Sequence, residues 1–228
     1  MLSERNKRLI GKCAMYANKA YEKDIDGIFL EDKTTDCQAF VTTNEKDIII
    51  TGQGTTTIKD WMIDFQIYRK RVSYLNDTLV HAGFVKAYDS VREDIHKEVR
   101  RLIEEGKYER IVCTGHSLFG AIATIAGLDC SLKYDMPVCC VTFGSPRVGS
   151  KEFVKCFNDN IDGSFRCVQN KDPITFTPLP IRFKHVRGGL KVNDKKVSDE
   201  VNLYNCCGCR ISDHSMVEYC NNLLDVKI

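Results

Sequence analysis

The chain has 228 residues and a mass of 26.0 kDa, with 43% hydrophobic and 28% charged residues. Lys and Arg total 33 against 31 Asp and Glu, which gives a net charge of +2. This composition is typical of a folded globular domain and provides no electrostatic preference for nucleic acid or anionic membranes. We therefore expect a single domain over residues 1–228 with no nucleic-acid partner.

The twelve cysteines raise the question of a disulfide framework. Cys113, Cys139, Cys140 and Cys167 lie within or beside apolar runs typical of core strands, where a reduced thiol behaves as a small hydrophobe. The N-terminal sequence MLSERNKRLIGKCAMYANKAYEK lacks the apolar region of a secretory signal, and no run approaches the ~18 apolar residues of a membrane span. These features predict an intracellular, cytoplasmic protein without a transmembrane segment.

The sequence CCGC at 206–209, with His214 and Cys220 nearby, is a candidate metal site. Zinc sites usually combine two well-spaced pairs of Cys or His, whereas this group is crowded and has no second pair. We therefore expect neither a metal nor a cofactor.

In chain order, helical periodicity over residues 8–22 predicts a first helix. The runs CQAFVTT and DIIITG flank the turn residues 44–46, which indicates a β-hairpin. In TTTIKDWMIDF, apolar residues then recur at i, i+3, i+4 and i+7, the spacing of a short amphipathic helix. These residues are Ile58, Trp61, Met62 and Phe65.

A long helix is predicted from Phe84 to Ile103, where apolar residues follow one stripe. ERIVCTG, PVCCVTF and FRCVQN are typical of buried strands, and SLFGAIATIAGLDCSL and KEFVKCF are typical of the helices between them. RFKHVRGGLKV and EVNLYN predict a pair of strands, and residues 214–224 a last helix. Strands that alternate with helices indicate an α/β fold with a largely parallel central sheet.

Ser117, within TGHSLFGA, lies where a predicted strand turns abruptly into a helix. Such a turn, a nucleophile elbow, exposes the serine hydroxyl above the sheet beside the positive end of the helix dipole. A serine is a weak nucleophile and needs a base that is itself oriented by another group. Asp172 and His214 follow in the chain order Ser, Asp, His, which is the order of α/β-hydrolases.

Four other histidines compete for the role of base: His81, His96, His116 and His185. His116 adjoins Ser117, but successive side chains leaving a strand point in opposite directions. His96 lies on the predicted polar side of a helix. Order along the chain and a position between loop and helix favour His214, although Asp172-Pro and a late histidine are also common in ordinary turns and surfaces.

The chain resembles the class 3 (fungal-type) triacylglycerol lipases from about residue 37 to residue 219. The matching blocks, in the family's order, are GTTTIKDWMIDF, VHAGFVKAY, IVCTGHSLFGAIA, VTFGSPRVG, QNKDPIT and SDHSMVEY. The resemblance implies an α/β-hydrolase that cleaves carboxylic ester bonds of acylglycerols or related lipids through an acyl-enzyme. It implies Ser117 as nucleophile, Asp172 as acid and His214 as base.

The resemblance also implies an oxyanion hole formed by Thr55 and the backbone N–H of Leu118. The segment IKDWMIDF corresponds to the family's lid, so its apolar residues Ile58, Trp61, Met62 and Phe65 are candidates for lid or substrate contacts. The alternative is that they pack against the core. A lipid or ester substrate, with transient contact to a lipid surface, is the expected partner.

Phe119 departs from the family, which has Gly at this position. Because Gly115 and Gly120 are kept, we expect the ring to project toward solvent or the acyl-binding cleft. Two alternatives stay open: a lipase-like interaction protein that has lost catalysis, and an esterase for short soluble esters.

Overall fold

The computed structural model describes residues 2–54, 68–169, 171–193, 196–199 and 210–224. The helices in these residues are α1 (Glu4–Glu22), α2 (Ala82–Glu104), α3 (Leu118–Lys133), α4 (Lys151–Asn160) and α5 (Met216–Leu224). The strands are β1 (Ile28–Asp32), β2 (Cys37–Thr43), β3 (Asp47–Gln53), β4 (Arg69–Val72), β5 (Thr78–His81), β6 (Arg110–His116), β7 (Val138–Phe143), β8 (Gly163–Val168), β9 (Gly189–Asn193) and β10 (Lys196–Asp199).

One sheet contains eight strands in the order β1-β2-β3-β6-β7-β8-β9-β10. The β3–β6, β6–β7, β7–β8 and β8–β9 pairs are parallel, whereas the β1–β2, β2–β3 and β9–β10 pairs are antiparallel. β4 and β5 form a separate antiparallel ribbon. The prediction of an α/β fold with a mostly parallel central sheet is therefore confirmed.

Helices cover both faces of this sheet. α1 and α5 pack together on one face, around Ile10, Val112 and Tyr219. α2, α3 and α4 lie on the other face, with a core that includes Tyr88 and Phe157. Strands covered on both faces are continuously apolar, and this explains why β7 reads VCCVTF with every residue buried.

The C-terminal part differs from the sequence-based prediction. The strand pair falls at β9 and β10, and within RFKH the described pairing is an isolated bridge between Lys184 and Gly149. EVNLYN lies outside the described residues. The last helix begins at Met216, because the segment Ile211–His214 forms a short 3₁₀ turn ahead of it.

The carboxyl ends of the parallel strands bring separate parts of the chain to one edge of the sheet. β3 is followed by Gly54, β6 by Ser117, β7 by Gly144, and β8 by the loop that carries Asp172. Functional residues of open α/β sheets collect at this edge. The fold thus places the predicted nucleophile and acid on the same side of the molecule.

Candidate active site

Ser117 occupies a strained turn between β6 and α3. Its backbone angles are φ 57° and ψ −126°, a region that non-glycine residues rarely adopt and that costs of order 1–3 kcal/mol. Its backbone N–H donates to the Phe143 carbonyl at 3.0 Å, which ties the turn to the end of β7. The strand-to-helix turn predicted from TGHSLFGA is present.

His214 lies between the hydroxyl of Ser117 and the carboxylate of Asp172. Its Nε2 is 2.8 Å from Ser117 Oγ, and its Nδ1 is 2.8 Å from Asp172 Oδ2 and 2.9 Å from Oδ1. All three residues are at most 2% exposed. The structure therefore brings together the three residues selected by chain order, in the arrangement that activates a serine nucleophile.

Asp172 is held by neutral donors in addition to His214. The Ile174 backbone N–H donates to Oδ1 at 2.9 Å, and the Tyr219 hydroxyl donates to Oδ2 at 2.7 Å. The Tyr219 oxygen accepts from the Gln169 N–H at 3.0 Å. Burial, and then the charge of Asp172, raises the pKa of Tyr219 well above 10, so the hydroxyl keeps its proton. These bonds fix the carboxylate that orients His214.

Gly144 makes room for this arrangement. It has φ 55°, and a Cβ at this position would lie 2.7 Å from Asp172 Oδ2 and 2.9 Å from His214 Nδ1. Any side chain here would collide with the histidine–aspartate bond, so the glycine is required by both its backbone angle and the close approach.

The predicted oxyanion donors fall partly within the described residues. Leu118 is the first residue of α3, directly after Ser117, where helix N–H groups have no intrahelical acceptor. Thr55 lies outside the described residues, as do Ile58, Trp61, Met62 and Phe65. Gly54 is described, and a Cβ there would lie 3.2 Å from Ser117 Cβ. The chain leading to Thr55 therefore passes beside the serine.

The prediction that Phe119 projects toward solvent or the acyl-binding cleft is wrong. The side chain is fully buried, and its ring lies over two glycines of the sheet. A Cβ on Gly52 would be 2.1 Å from Phe119 Cε2, and one on Gly115 would be 2.7 Å from Cδ1. The ring fits because β3 and β6 have no side chain at these two positions, and the hydrogen bonds of Ser117 stay intact beside it.

The competing histidines have other partners. His96 is buried rather than on a polar surface, and bonds Asp129 at 2.8 Å. His185 lies outside the named strands, bonds the Thr175 carbonyl at 2.7 Å, and has its pKa lowered by burial. His81 caps the start of α2. His116 does not bond Ser117, as its neighbouring position on the strand predicts.

A family profile described as "Lipase (class 3)" matches residues 49–181, more than half of the chain. The chain belongs to the class 3 lipase family. The match covers the elbow and Asp172, and it confirms the resemblance inferred from the sequence blocks.

Relatives of the chain include two proteins that are named as secreted fungal lipases. The chain is 31% identical over 151 residues to "secreted mono- and diacylglycerol lipase 1" of Fusarium solani, covering 64% of this chain and 45% of that protein. It is 25% identical over 153 residues to "secreted mono- and diacylglycerol lipase A" of Penicillium cyclopium, covering 66% and 50%. The chain thus spans about half the length of these relatives.

Solved structures support the fold. The Rhizomucor miehei triacylglyceride lipase superposes with a TM-score of 0.81 at 22% identity, covering 94% of each chain. A triacylglycerol lipase from Penicillium expansum gives a TM-score of 0.77 at 19% identity, covering 94% of this chain and 91% of that one. At these identities the similarity confirms the α/β-hydrolase architecture of the chain.

The prediction of an intracellular, cytoplasmic protein is wrong. Relatives from three fungi are named as secreted lipases, which points to an extracellular location. The prediction takes reduced core cysteines as a sign of a reducing compartment. Burial raises the pKa of Cys140 and Cys167 to about 12, so these thiols are unreactive inside the core and say nothing about their surroundings.

Within the described residues, no helix is long and apolar enough to cross a bilayer, and no group of His, Cys, Asp or Glu is arranged to hold a metal ion. The cysteines at 206–209 are outside these residues.

Sequence reasoning missed the tyrosines around the site. Tyr219 lies within the block SDHSMVEY, five residues after His214, and only its place on α5 shows that it reaches Asp172. Tyr21 is on α1, far from the other site residues in sequence, and hydrogen-bonds His116. No spacing rule connects it to the elbow.

Proposed function

We propose that this class 3 lipase is a serine hydrolase that cleaves carboxylic ester bonds of acylglycerols or related lipids. The observation that carries the proposal is the hydrogen-bonded series Ser117–His214–Asp172, with 2.8 Å on each side of the histidine. A strained serine whose hydroxyl contacts an oriented imidazole is prepared for nucleophilic attack. The loss-of-catalysis alternative rested on Phe119, whose ring is accommodated in the core.

The proposed reaction has two steps. His214 Nε2 accepts the Ser117 proton as Oγ attacks the ester carbonyl, while Asp172 holds the imidazole at Nδ1. The backbone N–H groups of Thr55 and Leu118 stabilise the oxyanion, a contribution of roughly 10²–10³ in rate per donor. Protonated His214 then gives its proton to the leaving alcohol. Water, activated by the same histidine, attacks the acyl-serine and releases the carboxylic acid.

The substrate class is supported by the named relatives. They are called mono- and diacylglycerol lipases in two fungal genera, and phospholipase A1 in Oryza sativa. Glycerolipid esters are common to all these names.

A transient contact with a lipid surface is part of the proposal. Leu179 and Ile181 follow the Asp172 loop and are 64% and 86% exposed, and Ile211 precedes His214 and is 52% exposed. Exposed apolar side chains on loops around a site are suited to an apolar interface. The segment 58–65 is the proposed lid. If it acts so, the rate of hydrolysis should jump when a short-chain triglyceride passes its solubility limit, and a smooth hyperbola would contradict this.

The activity is tested with a fluorophosphonate probe, which phosphonylates activated serines with loss of fluoride. The native protein should be labelled, and Ser117→Ala should abolish labelling and reduce ester turnover by roughly 10⁶. Ser131→Ala is the matched control on α3, since the partner of Ser131 Oγ among the described residues is the Leu128 carbonyl of the same helix. Absence of labelling in folded native protein, or labelling that persists in Ser117→Ala, would overturn the proposal.

A further inference from the structure

The ring of His116 lies against the ring of His214. Their centroids are 4.5 Å apart and their planes are inclined by 33°. His116 is the last residue of β6 and is 3% exposed. The proposed mechanism gives this second imidazole no chemical step, although it contacts the group that must move the proton.

His214 is restricted by its neighbours on more than one side. Besides the stacked His116, Gly144 approaches so closely that a Cβ there would lie 2.9 Å from His214 Nδ1 and 3.0 Å from Cε1. Tyr219 stands edge-on to His116, with centroids 5.8 Å apart. The His116 ring is therefore one of the groups packed against the proposed base.

Tyr21 in turn holds His116. Its hydroxyl is 2.8 Å from His116 Nδ1, and burial raises the pKa of Tyr21, so the phenol keeps its proton. The hydroxyl also fills the space beside Gly54, where a Cβ would lie 2.5 Å from Tyr21 Oη. Tyr21, on α1, therefore contacts both Gly54, which follows β3, and His116.

The His116 ring of this stack is neutral at neutral pH. Burial, and then the nearby charge of His214, lowers the pKa of His116 well below 6.5. A neutral ring beside His214 tolerates the imidazolium that forms during the reaction, whereas a second cation would oppose it. A neutral His116 can therefore hold His214 in place without itself gaining a proton when His214 does.

We propose that His116, fixed by Tyr21, is a positioning residue that keeps the His214 ring aligned between Ser117 and Asp172. The proposal rests on the proposed hydrolase function, because positioning has meaning only if His214 acts as the base. His116 does not touch the reacting atoms. Its loss should act through misalignment of His214, and a displacement of about 1 Å costs on the order of 10² in rate.

The first test compares His116→Leu with His116→Phe, using a soluble p-nitrophenyl ester and active sites titrated with the fluorophosphonate probe. His116→Leu should lower kcat per titrated site by about 10–10²-fold while KM stays unchanged. His116→Phe keeps a planar ring beside His214 and should recover most of that loss. A native kcat in His116→Leu, or equal losses in both variants, would overturn the stacking role.

The second test removes only the hydroxyl of Tyr21 and leaves its ring in place. Tyr21→Phe should lower kcat several-fold without changing KM, and adding it to His116→Phe should have no further effect, because the two residues act as one unit. Tyr16→Phe, at a half-buried position on the same helix, is the control. Additive losses, or a native rate in Tyr21→Phe, would overturn the tether. Native protein that folds but is never labelled would instead overturn the hydrolase function, and the role of His116 with it.

Discussion

Two buried histidine–aspartate pairs in this molecule have nearly the same local chemistry and different surroundings. In the site, His214 bonds Asp172, which also accepts from the Tyr219 hydroxyl. Between α2 and α3, His96 bonds Asp129 at 2.8 Å, and Asp129 also accepts from the Tyr88 hydroxyl at 2.8 Å.

The difference lies in what completes each network. Asp129 accepts from both Nε and Nη2 of Arg92, at 2.6 and 3.1 Å. The other ring nitrogen of His96, Nδ1, hydrogen-bonds the Tyr134 hydroxyl. A fixed cation already balances that carboxylate. In the site, the ring nitrogen of His214 that does not bond Asp172 is Nε2. It faces the hydroxyl of Ser117, whose backbone is strained. A buried histidine–aspartate pair is thus not evidence of catalysis by itself. The partner of the second imidazole nitrogen distinguishes a catalytic pair from a structural one.

The strongest way to break this comparison is to neutralise each aspartate in turn. Asp172→Asn should reduce kcat by about 10⁴ because the amide orients the wrong tautomer of His214. The measurement is ester turnover per folded molecule, with circular dichroism to confirm the fold. A loss below ten-fold would show that the pair in the site is as structural as the other one.

Asp129→Asn should act on stability instead. It removes the buried carboxylate that Arg92, which is 17% exposed, binds in addition to the exposed Glu93, and breaking such a buried pair costs about 3–5 kcal/mol. Urea unfolding measures the loss, and turnover per titrated site should stay native. Asp159→Asn, which breaks an exposed pair with Lys155, is the control and should leave the unfolding midpoint unchanged. A stable but inactive Asp129→Asn would reverse the assignment of the two pairs.

Phe119 tests whether the elbow depends on its unusual neighbour. Phe119→Ala removes a fully buried ring, so we expect a loss of about 3–5 kcal/mol in the free energy of unfolding. The probe should label the folded fraction at the native rate, since the ring packs on Gly52 and Gly115 rather than on the reacting groups. Faster labelling in this variant would mean that the ring restrains the elbow.

The smallest expected effect concerns stability in mild acid. Burial lowers the pKa of both His116 and His185 well below 6.5, so the unfolded chain binds more protons than the folded one once the pH falls below about 6.5. The free energy of unfolding should therefore fall from about pH 6.5 downward, by up to about 1.4 kcal/mol per pH unit for each histidine. Urea titrations at pH 7, 6 and 5 measure the slope. His185→Gln should reduce the slope of the free energy of unfolding against pH by the contribution of one bound proton. An unchanged slope would contradict the lowered pKa of His185.

Most of the fold could be predicted because its strands and helices have strong periodic patterns. β6 and β7 are continuous apolar runs, and α2 has an apolar stripe, so tertiary packing reinforces what the local sequence favours. The bounds of the C-terminal strands could not be predicted, because short strands with mixed polarity depend on a partner for their register.

The part of the site that could be predicted is the part that depends on chain order and on the residues of a turn. Ser117, Asp172 and His214 follow from the elbow and from the order of the acidic and basic groups. The direction of the Phe119 ring could not be predicted, because it depends on the absence of a Cβ at Gly52, on another strand. The burial of His96 depends in the same way on Asp129, which lies on a different helix.

α1 and α5 lie side by side on one face of the sheet, and Cys220 on α5 donates to the Ala14 carbonyl on α1. α1 carries Tyr21 and α5 carries Tyr219, so residues near the two extremes of the described chain meet around the same pair of histidines. A ribosome makes α1 before the strands of the sheet and α5 after them. Most of the sheet can therefore form before this cluster does. The site stays inactive until α5 has been synthesised and has packed against α1.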